Sequence, residues 1–337
     1  MQFYTLHVSH VIHFTGSKME SFLTKFMAWV QWYFRPFIKW FLHQTTRLTE
    51  LQRICYGEPV GAPRTCNVEK SLSLSRSNVI QDACKNLDDL VNIDEYEDSK
   101  IDGAINALIK TVLETKQIKK QLHIQFVRSL HNCSKQIWSY RRLIHDLEAL
   151  RSTAYDEAQH VHKLELLWNG LNEEDKPFIR ISKQWCDIGF QGTDPKTDFR
   201  GMGMLGLESL LYLVQNFNKA AKHILSHSNH PKYGYSMAIV SINLTHLALK
   251  LMNDGTAKTH IYNATKEALN EDRPINMENF HHFSSYLLIE FDKFWIDQKP
   301  ENVMEFNRIR DLYENNLRTL LGDTTACLKI NPVVDTV

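Results

Sequence analysis

Apolar residues in this chain recur at intervals of three and four and almost nowhere alternate one by one. Ile105, Leu108, Ile109, Val112 and Leu113 mark one face between Ile101 and Leu122. Phe126, Leu130, Ile137, Tyr140, Ile144 and Leu147 mark another between Ile124 and Leu150. This is the period of an amphipathic helix, not of a strand. The same reading predicts helices over Val79–Leu90, Val161–Trp168, Ile179–Ile188 (ending at Gly189), Leu205–Phe217, Ser236–Met252, Phe280–Trp295 and Val303–Leu321. The expected fold is all-α, with irregular multi-helix packing.

At 337 residues the chain is long enough to bury a substantial core. Its 39 basic and 39 acidic residues cancel, which argues against bulk nucleic-acid binding, because that rests on a strongly positive face. Cys55, Cys66, Cys84, Cys133, Cys186 and Cys327 are evenly spread and form no CxxC. Reduced cysteines in a cytoplasmic setting follow. Asn132, Asn243 and Asn263 head glycosylation-type triplets, but no secretory signal accompanies them. Asp88, Asp89, Asp94, Glu95, Glu97 and Asp98 read as a solvated linker or helix flank.

The amino-terminal region has its own character. Residues 1–18 read as a loose extension, with His7, His10 and His13 incidental. On a helical wheel, Phe22, Phe26, Trp29, Tyr33, Phe37, Trp40 and Phe41 share one side, and Lys25, Gln31, Arg35 and Lys39 the other; Trp32 departs from the pattern. An aromatic face opposite cations predicts an interfacial helix on an anionic membrane, with Trp29, Trp32, Arg35, Lys39 and Trp40 as its contacts. Pro36 would bend it. The alternatives are a terminal helix docked on the protein's own core and a snorkelling transmembrane anchor. Gly57–Arg64, GEPVGAPR, breaks the chain after it.

One dense stretch, WCDIGFQGTDPKTDFRGMGMLGLESLLYL from Trp185 to Leu213, carries Arg200 at the junction of a loop and a helix. Five of the chain's 13 glycines fall there: Gly189, Gly192, Gly201, Gly203 and Gly206. Glycines serve where the backbone needs unusual angles or another surface must come close. Beside them a guanidinium can present a fork to phosphate oxygens. Gln191, Thr197 and Asp198 share the loop; Asp198 can pair with Arg200 or cap the following turn.

Other chemistries find less support. Gly201 and Gly203 lack a P-loop pattern and a βαβ context. His223, His227 and His230 have ligand-like spacing but too few partners for zinc. His281 and His282 read as one core or helix-surface histidine and one exposed. No nucleophile, histidine and acid grouping appears in sequence order. No metal and no cofactor of the chain's own is expected.

The Trp185–Leu213 stretch resembles the signature of the ELMO domain. Likeness to the ELMO domain-containing proteins extends through LTELQRICYG near residue 48, SYRRLIHDLEALRSTAYD from 139, HPKYGYSMAIVSINLTHLA from 230 and EFDKFWIDQKPENVMEFNRIR from 290. It implies a partition into an extension (1–18), a membrane-associating segment (19–56), a helical part packed on the body (57–130), the ELMO domain (131–321) and a tail (322–337). The resemblance further implies GTPase activation toward the GTP form of Arf and Arf-like small GTPases, with Arl2 the expected substrate. GTP and magnesium would belong to the partner. The family's signature arginine falls on Arg200. Its conserved neighbours fall on Trp185, Gly189, Phe190, Gln191, Gly192, Pro195, Asp198, Gly201 and Gly203, while Thr193, Asp194 and Lys196 occupy variable slots. Thr197 joins Gln191, Asp198, Gly201 and Gly203 as the supporting loop. Trp185, Gly189, Phe190, Gly192 and Pro195 form the platform. The rival expectations are a helical module that binds a small GTPase without accelerating it, and a membrane adaptor. Cytoplasmic location with peripheral association to intracellular membranes completes the expectation.

Overall fold

The computed structural model describes residues 33–34, 37–93, 98–172, 176–266 and 274–330, and every regular element among them is helical. The chain divides into two compact units, Met1–Gly57 and Glu58–Val337.

In the first unit, α1 spans residues 37–46 and α2 spans Glu50–Gly57. Thr49 and Gln52 cap the start of α2 reciprocally: the Gln52 side-chain oxygen accepts from the Thr49 N–H (3.0 Å) and Thr49 Oγ1 from the Gln52 N–H (3.4 Å). Lys39 pairs with Glu50. Phe37, Trp40 and Phe41 are exposed on α1, at 61%, 57% and 52%. Lys39 and Trp40 of the anticipated membrane face are therefore in view; Trp29, Trp32 and Arg35 lie outside the described residues. Among the described residues, no helix is long and apolar enough to cross a membrane.

The second unit is organised around one helix. Its elements are α3 (Ala62–Ser73), α4 (Asn78–Asp89), α5 (Asp98–Thr115), α6 (Ile124–Ser152), α7 (Glu157–Leu171), α8 (Gly203–Asn216), α9 (Asn218–Ser228), α10 (Met237–Asn253), α11 (Lys258–Ala264), α12 (Met277–Gln298) and α13 (Phe306–Leu321). Met204, Leu205, Leu207, Leu210, Leu211, Leu213 and Val214 make α8 apolar on nearly every side, and all are buried. A helix of that kind cannot stay at a surface. It packs against α6, α7, α10 and α12 together. The α12 helix starts at a capping box between Asn276 and Asn279 and turns Phe280, Phe283, Leu287, Phe291 and Trp295 inward. The Tyr313 hydroxyl of α13 donates to the Leu287 carbonyl (3.1 Å).

Three helices of the second unit escape the periodicity argument. The Gly57–Arg64 break is real over residues 58–61, but Pro63 lies in the first turn of α3, where its fixed φ and missing N–H cost nothing. The α9 and α11 helices are short and polar-flanked. In the other direction, the helix expected over Ile179–Ile188 is only a 3-10 segment, Lys183–Ile188, terminated by Gly189 in the left-handed conformation (φ 86°). The helix after Ile101 ends at Thr115, short of Leu122.

The candidate site, an arginine on a clamped loop

Between α7 and α8 the described residues form no α-helix, only two 3-10 segments, Lys183–Ile188 and Pro195–Gly201. Arg200 lies in the second, shortly before the core helix α8 begins. The loop is thus continuous with the most buried element of the fold.

Beneath it runs a chain of aromatic rings. Trp168 meets Trp185 edge-on at 5.4 Å, Trp185 meets Phe190 at 5.7 Å, and Phe190 meets Phe199 at 5.6 Å. Phe178 closes on Trp185 from the side at 6.0 Å. Trp185 is wholly buried, and its indole N–H is shared between the carbonyls of Ile179 and Arg180 (3.1 Å each). Pro195 is buried as well, and Phe199, directly before Arg200, is 1% exposed.

Two glycines clamp the loop to the body. Gly189 (φ 86°) lies so close to the start of α10 that a Cβ would collide with the backbone of Ser236 and Met237. Its carbonyl accepts from the Ile239 N–H (3.3 Å). Gly203 (φ 53°) presses on the end of α6, where a Cβ would run into the carbonyl oxygens of Arg151 and Thr153. The Met204 N–H donates to that Thr153 carbonyl (2.9 Å). Gly192 and Gly201 differ: both are exposed, and a Cβ on either meets nothing within 4 Å. At Gly201, unlike Gly192, φ is not positive either, so nothing inside the protein calls for glycine beside Arg200.

The polar contacts tie the loop to itself. The Asp198 carboxylate accepts from the Gln191 N–H (2.8 Å), and burial raises its pKa despite that bond and the nearby charge of Arg200. Asp198 neither bonds Arg200 nor caps the following turn; its bond runs back to the loop backbone at Gln191. Arg200 is braced instead by its own turn, Nε donating to the Thr197 carbonyl (2.8 Å), while the Thr197 hydroxyl donates to the Asp194 carbonyl (2.9 Å). Arg200 is exposed, and its two terminal nitrogens have no hydrogen-bond or ion-pair partner among the described residues. A half-committed guanidinium of this kind has its position fixed and its charge on offer.

Sequence reasoning passed over one participant. Arg180 joins Asp194 (2.7 Å) to Glu157 of α7 (2.8 Å) and lies over the Tyr155 ring at 5.2 Å. Asp194 also accepts from the Lys196 N–H (3.1 Å), capping the 3-10 segment. Burial pushes the Asp194 carboxyl up, but the bonds from Arg180 and Lys196 outweigh it and hold the pKa below the ordinary range. The slot read as variable pins the loop to α7 here. Asp before Pro is the local signal that could have found it.

The histidines play structural parts. His227 Nδ1 lies 2.7 Å from Asp292, whose other oxygen accepts from the Tyr235 hydroxyl (2.5 Å). His230 accepts from the Lys232 and Tyr233 N–H groups. Among the described residues, no group of histidines, cysteines and carboxylates could hold a metal ion. His281 is buried against Ser209 (3.1 Å), and His282 is half-buried against Phe217 rather than exposed, because α9 and its approach cover that face of α12.

These features can be set beside known proteins. The ELMO/CED-12 family profile matches residues 145–310, which contain the whole loop. ELMO domain-containing protein 2 of Mus musculus is 42% identical over 302 residues, covering 88% of this chain and 95% of its own length. ELMO domain-containing protein 1 of Bos taurus is 40% identical, covering 83% and 86%. ELMO domain-containing protein B of Dictyostelium discoideum is 31% identical, covering 83% and 92%. No solved structure matches significantly. Relatives this similar, aligned over nearly their full lengths, leave one conclusion: the chain belongs to the ELMO domain family.

Proposed function

We propose that this protein is a GTPase-activating protein for small GTPases of the Arf and Arf-like group, with Arl2 the expected substrate, and that Arg200 is supplied in trans to the partner's GTP. The observation that carries this reading is the state of Arg200: exposed, held at Nε by the Thr197 carbonyl, and unpartnered at its two terminal nitrogens among the described residues.

GTP hydrolysis is limited by charge developing on phosphoryl oxygens and by placement of the attacking water. An arginine supplied in trans is worth on the order of 10³–10⁵ in turnover. Its value depends on being held in place before the reaction rather than searching for position. The aromatic stack under Phe199 and the clamps at Gly189 and Gly203 give that rigidity. Gly201 leaves clearance beside the guanidinium for a second protein surface. The nucleotide and its magnesium belong to the partner, so this chain has only to deliver charge and geometry.

Peripheral membrane association belongs to the same proposal. The exposed Phe37, Trp40 and Phe41 of α1 supply an aromatic surface suited to a lipid headgroup layer. Arf-group GTPases in GTP form would be met at that surface.

The test is single-turnover hydrolysis by GTP-loaded Arl2 and other Arf-group GTPases, with and without the protein. Acceleration of at least one of them is the expected result. Binding without acceleration across the panel would reduce the protein to a binding module.

A further inference from the structure

Away from the arginine loop, the start of α3, the first turns of α6 and the region after α11 enclose a cleft of about 230 Å³. That is smaller than the roughly 300–1,000 Å³ of pockets built for drug-sized ligands. Three cations, Arg64, Arg128 and Lys266, line it, with no carboxylate side chain among the lining residues. None of the three has an ion-pair partner among the described residues.

The floor is built. Gln136 is buried and fully used: its side-chain oxygen accepts from the Thr65 hydroxyl (2.6 Å), and its nitrogen donates to the Tyr262 carbonyl and to Thr265 Oγ1 (3.2 Å each). Arg64 is fixed above it. Its Nε and Nη2 donate to the Glu58 carbonyl (2.9 and 2.7 Å), and Nη1 to Ser129 Oγ (3.1 Å). All of these acceptors are neutral, so the charge remains uncompensated. Lys266 and Arg128 are both exposed on the wall.

A helix N-terminus adds to the same sign. Gly61, which precedes α3, and Gln125, in the first turn of α6, both line the cleft. The α6 helix has no side-chain cap at its start, whereas the Ala62 N–H that opens α3 is taken by Asn263 Oδ1 (2.8 Å). An uncapped N-terminus carries partial positive charge and favours anions. Three cations beside that end, with no counter-carboxylate among the described residues, repel one another unless an anion joins them.

We propose that this cleft is a binding site for a phosphate group, with Arg64 as its fixed base and Arg128 and Lys266 closing on the ligand. The inference does not depend on the GTPase reading, since neither Arg200 nor any residue of its loop takes part. A phosphorylated lipid headgroup and a soluble phosphate compound share the chemistry.

Calorimetric titration of the full chain with inorganic phosphate, against chloride at equal ionic strength, tests it. Saturable binding in the low-millimolar range or tighter is expected. The double variant Arg128→Gln/Lys266→Gln should weaken it by at least about tenfold, because charge-assisted bonds to phosphate are lost, with unchanged circular dichroism. Neither side chain carries a hydrogen bond or ion pair among the described residues, so the fold has little stake in them. Flotation separates the sources, using phosphatidylcholine vesicles with phosphatidylinositol bisphosphate or with phosphatidylserine at matched charge. A wild-type preference for the former that the variant loses identifies a lipid headgroup; equal flotation of the two proteins, alongside lost phosphate binding, identifies a soluble phosphate. No saturable phosphate binding, or binding equal in variant and wild type, overturns the proposal.

Discussion

Replacing Trp185 by alanine probes the platform on which Arg200 stands. The ring is 0% exposed and touches Trp168, Phe178 and Phe190 in edge contacts between 5.4 and 6.0 Å. Truncating a large buried aromatic costs about 3–5 kcal/mol when the site cannot collapse. Collapse is restricted here, because Gly189 is wedged against α10 and the 3-10 segment is pinned at both ends. The Ile179 and Arg180 carbonyls also lose the indole N–H, so the upper half of that range applies. In a domain of this size each kcal/mol lowers the midpoint by about 2–4 °C. Trp185→Ala should therefore melt roughly 8–20 °C below wild type, the product of that cost and that slope. Differential scanning calorimetry measures it. GTPase activation should fall as well, since Phe190 and Phe199 lose their support, and should recover in part at low temperature. A midpoint within about 2 °C of wild type, less than one kcal/mol on the same scale, would refute the buried platform.

Four further outcomes follow from the same structure. Gly203→Ala should destabilise by about 1–3 kcal/mol, from its positive φ and the α6 carbonyls, whereas Gly201→Leu should melt like wild type yet activate poorly because it fills the approach to Arg200; equal activity in Gly201→Leu would remove the clearance argument. Burial holds the His281 pKa down to about 4 and that of His260 to about 3, against 6.5; the unfolded chain therefore binds more protons between pH 6.5 and 4, and stability present above 6.5 is lost as pH falls through that window, at about 1.4 kcal/mol for each tenfold loss of proton affinity, so an unchanged slope of midpoint against pH in His281→Gln would contradict it. Deleting residues 1–43 should release the protein from anionic liposomes while leaving activation intact, and equal flotation of the truncated and full-length proteins would exclude the interfacial helix.

How far the sequence reveals this molecule depends on which interactions are local. The long helices were legible because their inward positions, such as Phe280, Phe283, Leu287 and Phe291, repeat at helical spacing against a common core. The α3 helix was not, because Gly57, Pro59, Gly61 and Pro63 read as punctuation, and only the contacts of Ala62 and Thr65 with Asn263 and Gln136 show that Pro63 opens a helix. Within the site, Arg200 stood out by composition, while Asp198 carried two open roles and the structure shows neither, only its bond back to Gln191. The Arg180–Asp194–Glu157 cluster joins residues 14 and 23 positions apart, a separation at which no periodicity speaks. The same holds for the phosphate-type cleft, whose three cations come from three helical regions far apart in the chain.

The central claim rests on the guanidinium of Arg200, and Arg200→Lys isolates it, because lysine keeps the charge but loses the planar fork. The measurement is single-turnover GTP hydrolysis on Arl2 with wild-type and variant protein, alongside their melting midpoints and their affinities for the GTP-loaded partner. Activation should drop at least about tenfold, with midpoint and binding nearly unchanged. Activation by the lysine variant equal to wild type, in a protein that folds and binds as well, would contradict a transition-state role for the guanidinium.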